Sequence, residues 1–198
     1  MNTSMKMIVV LTVITTLVGG VLAAWDGFTQ PKIEQHRLER LRNAVKEVLP
    51  QHQTYDKIEA DGQTFYVGKS SAGEVAGIAF PASGAGFQGE IRLMIGVDAT
   101  FDQITGIAIL QQTETPGLGT KIVTDPSNQK NPDWFTDQFQ GIKAVSGIDV
   151  VKNQKPSNAT EIQAITGATI SSQAVVSILN NTLDQAKQIY KAQSEQIL

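Results

Sequence analysis

The hydrophobic pattern is most uneven at the start of the chain. From Met7 to Ala24 it reads MIVVLTVITTLVGGVLAA without a charge, and Trp25 follows. At 1.5 Å per residue such a helix covers about 28 Å, close to the roughly 30 Å of a bilayer's hydrocarbon core. Trp25 then falls at headgroup level, where an amphipathic ring is favoured. A cleaved signal peptide is the competing reading, since Val21-Leu22-Ala23 resembles a small-residue cleavage site. The length of the run, and a basic region limited to Lys6 and the terminal amine, favour an uncleaved anchor.

Beyond the span the periodicity changes twice. Ile33, Leu38, Leu41, Val45 and Val48 recur at helical spacing between Pro31 and Pro50. Pro31 suits a first helical position and Pro50 a stop, so an amphipathic helix packing on its own domain is predicted. Thr64–Val67, Glu74–Phe80, Glu90–Val97 and Ile104–Gln112 then read as strands, separated by turn signals at 68–73, 83–89 and 98–103. No helical pattern lies between them, which predicts an antiparallel meander. A short helix around Asp133–Phe139, a strand over Ala144–Val151 and a long helix from about Ser171 complete an α+β fold.

Composition narrows the chemistry. A length of 198 residues fits one globular domain with an accessory segment. The absence of cysteine excludes disulfides, iron–sulfur clusters and thiolate metal sites. A net charge of −3 offers nucleic acid no basic surface. Lys32, Arg37, Arg40 and Arg42 follow the span and only Lys6 precedes it, a bias that taken alone places the domain in the cytoplasm. A large folded domain is translocated largely regardless of charge, so the side stays open at this point.

Several short motifs resolve into ordinary structure. Gly84–Gly89 fits G-x-G-x-x-G, but a dinucleotide site needs a helix directly after the glycines, and Glu90–Val97 reads as a strand. His36 and His52 have no third ligand at metal spacing and are read as solvated. Asn158 and Asn180 begin glycosylation triplets of a kind that arise often by chance, and neither is assigned. Two segments remain. Glu114-Thr115-Pro116-Gly117-Leu118-Gly119 follows a strand, with a stiff proline and two glycines that permit close approach to the main chain. Ile165-Thr166-Gly167-Ala168-Thr169-Ile170-Ser171-Ser172 opens the last helix, where unpaired N–H groups and the helix dipole favour a phosphate. Plain turn formation and helix capping are the alternatives for the two.

The stretch ITGATISSQAV resembles the flavinylation motif of the FMN-binding domain family, and ETPGLG is similar to that family's other hallmark loop. The family includes the G subunit of the Rnf complex and the C subunit of the sodium-pumping NADH:quinone reductase; the chain's length favours the Rnf type. The resemblance implies covalent FMN, held as a phosphoester on Thr169. It implies cofactor contacts from Thr166, Gly167, Ala168, Ser171 and Ser172, and from Glu114, Thr115, Pro116, Gly117, Leu118 and Gly119. It divides the chain into a cytoplasmic N-terminus (1–6), a transmembrane helix (7–25), an amphipathic helical connector (26–50) and an FMN-binding domain (51–198). It also implies an FMN transferase for maturation, other membrane and peripheral subunits as partners, and a flavin domain outside the cytoplasm of a prokaryote. The role implied is that of an electron carrier in an ion-translocating ferredoxin:NAD⁺ oxidoreductase, not a stand-alone enzyme. In one respect the chain departs from the pattern: Gln163 stands where the family usually has Asp. A module that binds a phosphate-bearing ligand reversibly, and a scaffold whose motif is only a helix cap, are the rival readings.

Overall fold

The computed structural model describes residues 2–145 and 147–197, with side chains as far as Gln193. Its elements are α1 (Thr3–Val48), β1 (Thr54–Ala60), β2 (Gln63–Lys69), β3 (Val75–Ala85), β4 (Glu90–Val97), β5 (Ile104–Gln111), a 3-10 turn (Gly119–Ile122), α2 (Trp134–Asp137), β6 (Asp149–Val151), β7 (Glu161–Gln163) and α3 (Thr169–Ile197). The class is the α+β expected. Two compact units divide the chain, one ending at Leu41 and one beginning at Arg42.

α1 runs unbroken through Pro31, where the sequence predicts two helices. Proline removes one backbone donor, and helix-forming neighbours such as Lys32, Glu34 and Gln35 carry the ladder past that single loss. The first part of α1 is long and apolar enough to cross a membrane, and none of its apolar window is buried within the structure. The packing predicted for the following segment is confined to its end: Ile33 and Leu38 stay exposed, whereas Ala44, Val45, Val48 and Leu49 are buried.

The five long strands form an antiparallel meander in the order β1-β2-β3-β4-β5. β1 is not among the strands the sequence predicts. As an edge strand it is largely exposed and carries Asp56, Lys57 and Glu59, so it shows no apolar alternation. β3 passes the predicted end at Phe80 and reaches Ala85, which shortens the turn to Gly86–Gly89, closed by the Gly86 N–H on the Gly89 carbonyl at 2.7 Å.

The pairings Ile78↔Val97, Phe80↔Ile95, Ala82↔Leu93 and Gly84↔Ile91 put these residues on one face. All but half-buried Gly84 are buried there with Val175, Ile178, Leu179 and Leu183 of α3. The other face carries glycines across four strands, paired Gly68↔Gly77 and Gly96↔Gly106. The end of α1 lies in this trough. A Cβ at Gly77 would stand 2.8 Å from Leu49 Cδ2, and one at Gly96 would stand 2.4 Å from the Val48 carbonyl oxygen. The Thr105 hydroxyl donates to that same carbonyl at 2.5 Å, partnering a group that the end of a helix leaves unpaired.

The strand predicted over Ala144–Val151 contracts to Asp149–Val151, pairing in parallel with β7; Ser146 lies outside the described residues. Asn180 explains the local order. Its Oδ1 accepts from the Gly147 and Ile148 N–H groups, and its Nδ2 donates to the Ile148 carbonyl. This is a structural use for one of the two glycosylation triplets. α3 begins at Thr169, two residues before the predicted start, which places that threonine in the first turn.

Candidate functional site

Two tight turns meet at the start of α3. In Thr115–Leu118 the Leu118 N–H returns to the Thr115 carbonyl at 3.2 Å, with Pro116 second and Gly117 third at φ +74°. In Ile165–Ala168 the Ala168 N–H returns to the Ile165 carbonyl at 3.0 Å, with Gly167 third at φ +83°. Positive φ at the third position is the type II pattern, which glycine adopts without strain. The turns touch: a Cβ at Gly167 would stand 3.2 Å from Leu118 Cδ2.

The helix ladder begins with the Ser172 N–H on the Ala168 carbonyl at 3.0 Å. The N–H groups of Thr169, Ile170 and Ser171 therefore precede it, at the positive end of the helix dipole. Ser172 is occupied inside the fold. Its hydroxyl donates to the Ala168 carbonyl and accepts from the Ile165 N–H, both at 3.0 Å. Ser171 turns its hydroxyl inward as well, donating to Glu114 Oε2. Both hydroxyls, expected from sequence to meet the ligand, have partners within the fold. Thr166 is exposed and Thr169 half-buried, which leaves Thr169 facing the site.

A cavity of about 330 Å³ opens here. Of the residues expected from sequence, Thr115, Leu118, Gly119, Gly167, Ala168, Thr169 and Ser171 line it. Glu114, Pro116, Gly117, Thr166 and Ser172 do not. Phe87 and Ile170 also line the cavity, and neither is among the expected contacts; they are 57% and 55% exposed, an apolar rim rather than core. An exposed phenylalanine at a glycine-bounded hairpin tip is the sequence signal that could have identified the first of them. A cavity of about 360 Å³ beside Leu49, His52 and Asp98 and an open one of about 510 Å³ over Gly84–Glu90 are at least as large. Of these three, the 330 Å³ cavity alone joins both motifs to the free helix N–H groups.

Glu114 stands behind the wall. It is 3% exposed, and its Oε1 accepts from the Phe87 N–H at 2.8 Å and the Gln88 N–H at 3.2 Å. With Ser171 on the other oxygen, one carboxylate joins the hairpin tip, the Thr115–Leu118 turn and α3. Two glycines make room for it. A Cβ at Gly86 would stand 2.4 Å from Oε1, and one at Gly119 would stand 2.9 Å from Oε2.

The loop after the first turn is organised about buried Asp125. It meets the Lys121 ammonium at 3.1 Å, the Ser127 hydroxyl and N–H, and Trp134 Nε1 at 3.3 Å. The Ser127 hydroxyl, then Lys121, the Ser127 N–H and Trp134, outweigh desolvation and hold the carboxyl down at about 2. The histidines stand apart from the cavity. His36 is exposed beside Glu39, and His52, expected to be solvated, is half-buried with Nδ1 against the Leu49 carbonyl. No group of three or more His, Asp or Glu able to hold a metal occurs among the described residues.

Residues 86–184, from the hairpin tip into α3, match the model of the FMN-binding domain family. The chain is 33% identical over 187 residues to the G subunit of the ion-translocating oxidoreductase complex of Methanosarcina acetivorans, covering 90% of this chain and 92% of that one. It is 32% identical over 203 residues to the G subunit of the Na⁺-translocating ferredoxin:NAD⁺ oxidoreductase complex of Acetobacterium woodii, covering 94% and 93%. Among solved structures it resembles the C subunit of the Na⁺-translocating NADH-quinone reductase of Parabacteroides distasonis, at 26% identity and a TM-score of 0.50, covering 65% of this chain and 69% of that one. The NqrC of Shewanella oneidensis, at 20% identity and a TM-score of 0.53, covers 66% and 63% and shares the fold.

Proposed function

Because the chain belongs to the FMN-binding domain family, we propose that it is the G subunit of an Rnf-type, ion-translocating ferredoxin:NAD⁺ oxidoreductase complex, carrying one FMN as a phosphoester on Thr169. The observation that carries the reading is the position of Thr169. It is the first residue of α3, half-buried, and lines the cavity that both family motifs form. Relatives named as G subunits align over nine-tenths of both chains, which favours that assignment over the quinone-reductase subunit.

The residues present fit the cofactor. A phosphate on the Thr169 oxygen would meet the N–H groups that precede the helix ladder, where an anion is favoured. Exposed Gly167 leaves the main chain accessible, Gly119 leaves room for the Glu114 carboxylate, and Thr115 and Leu118 line the same cavity. A cavity of about 330 Å³ is near the lower end of the usual 300–1,000 Å³ for ligand sites. That suits a tethered group with an exposed ring. Bound FMN would supply reversible electron transfer, while the protein holds and orients it. A tether also removes the association cost of roughly 4–15 kcal/mol that a dissociating cofactor bears at each encounter. Maturation requires an FMN transferase. With FAD as donor, the Thr169 oxygen gains the phosphorus bond, the pyrophosphate bond breaks, and AMP leaves with the hydroxyl proton.

In this reading the first part of α1 crosses the inner membrane once, the N-terminus lies inside, and the flavin domain lies on the periplasmic or extracellular side. Protease added to spheroplasts then degrades the domain without lysis; protection would place it in the cytoplasm. The flavin is tested by intact mass after co-expression with a transferase. We expect a gain of one FMN less one water, absent in Thr169→Ala. Retention of the adduct in that variant moves the attachment elsewhere, and no gain in the unaltered protein returns the site to a reversible phosphate-binding or scaffold role.

A further inference from the structure

We infer that Glu114 is a positioning residue for the flavin cavity: it fixes the hairpin tip carrying Phe87 against the start of α3 and does so from behind the wall, without touching the cofactor. The inference rests on the reading of the cavity as the FMN site. Family motifs mark Glu114 as part of a ligand loop, but the geometry gives it a different task.

Three segments line the cavity: the hairpin tip through Phe87, the turn through Thr115 and Leu118, and the helix start through Thr169. In sequence they lie far apart, and the Glu114 carboxylate binds the first and third while standing at the head of the second. Consecutive N–H groups of a tight turn form a concave anion site, and the Phe87 and Gln88 amides place the Oε1 atom in one. The hydrogen bonds of an ionised acceptor are about twice as strong as neutral ones. The absence of side chains at Gly86 and Gly119 provides the space the carboxylate occupies: a Cβ at either would fall under 3 Å from one of its oxygens. Phe87 is 57% exposed, so little apolar packing holds its ring in place. The tip is therefore placed by its backbone, and its backbone by Glu114.

Glutamine at this position can still accept from both amides through its carbonyl oxygen, and its NH₂ can donate to the Ser171 oxygen. Alanine can do neither. The test compares full-length Glu114→Ala and Glu114→Gln with the unaltered protein, each co-expressed with the transferase and purified in detergent. Intact mass reports attachment, flavin fluorescence anisotropy reports ring mobility, and hydrogen exchange reports the Phe87 and Gln88 amides.

We expect all three proteins to carry FMN on Thr169. In Glu114→Ala the anisotropy falls and the two amides lose about tenfold or more in protection, as loss of a buried charged acceptor implies. Glu114→Gln restores both. Unchanged anisotropy and protection in Glu114→Ala, or failure of glutamine to restore them, overturns the inference. If Glu114→Ala does not fold, Ser171→Ala severs only the helix side of the tie. It should loosen the flavin while leaving the amides protected, and an unaltered flavin there overturns the inference too. If the unaltered protein acquires no FMN, the cofactor reading fails by itself. Amide exchange in the apoprotein then decides separately whether Glu114 holds the tip.

Discussion

At the scale of single residues, the two glycines of the first motif do different jobs, and substitution separates them. Gly117 has φ +74° and open space where a Cβ would go. Gly117→Ala therefore meets backbone strain alone, about 1–2 kcal/mol. Gly119 is crowded: its Cβ would stand 2.7 Å from that of Glu114 and 2.9 Å from the Ser171 hydroxyl. Overpacking in such a place typically costs about 1–3 kcal/mol and displaces neighbours, so Gly119→Ala should also disturb the cavity. Urea midpoints should fall for both variants, and flavin anisotropy only for Gly119→Ala. Asp125 supplies a pH dependence. Its folded pKa, about 2, lies below the usual carboxylate value. The stability it contributes is fully present above about pH 4, and is lost as pH falls through the folded value. Melting temperatures between pH 5 and 2 should thus fall less steeply in Asp125→Asn than in the unaltered protein.

Elements differ in how plainly the sequence announces them. The meander is legible because β3, β4 and β5 carry aliphatic and β-branched runs punctuated by turn residues. β1 is not, since Asp56, Lys57 and Glu59 on an edge strand leave no alternation to detect. The glycine trough is hidden for another reason. Gly68 reads as the start of a turn, and a glycine inside a strand discloses close approach only once its neighbour is known. That neighbour is the end of α1, which precedes Pro50 and the whole sheet. The site shows the same division. Its two motifs stand out in the local sequence, and Thr169 is singled out only by the family resemblance they carry, but the inward use of Ser171, Ser172 and Glu114 depends on contacts between residues up to 57 positions apart. The trough makes its own prediction. At Gly96 a Cβ would meet the Val48 carbonyl oxygen at 2.4 Å, Thr105 Oγ1 at 2.7 Å and Val48 Cβ at 2.7 Å. Gly96→Ala should push the helix end off the sheet and lower stability by about 1–3 kcal/mol. Hydrogen exchange at Val48 and Leu49 would rise with it; an unchanged urea midpoint would show that the helix end contributes little.

For the whole molecule, the boundary of the folded unit differs from the boundary of the anchor. The apolar window of α1 is long enough to cross a membrane and buries nothing within the structure. The compact unit nevertheless begins at Arg42, inside the same helix, because Ala44, Val45 and Val48 are core residues. Cutting the chain where the apolar run ends would leave a long exposed helix, and cutting at Pro50 would strip the trough of its cover. A protein beginning at Arg42 avoids both. It retains the whole cavity, both turns, Glu114 and Thr169, and loses the exposed apolar surface of the first part of α1. It should be soluble without detergent, melt cooperatively and gain the mass of one FMN less water when the transferase is present. A protein beginning at Gln51 exposes Gly77, Gly96 and Gly106 and should melt lower or aggregate. Equal melting of the two would mean that the last turns of α1 are passengers on the sheet. A soluble Arg42 form that folds yet gains no flavin would mean that the transferase reads something in the anchor, and not the Thr169 site alone.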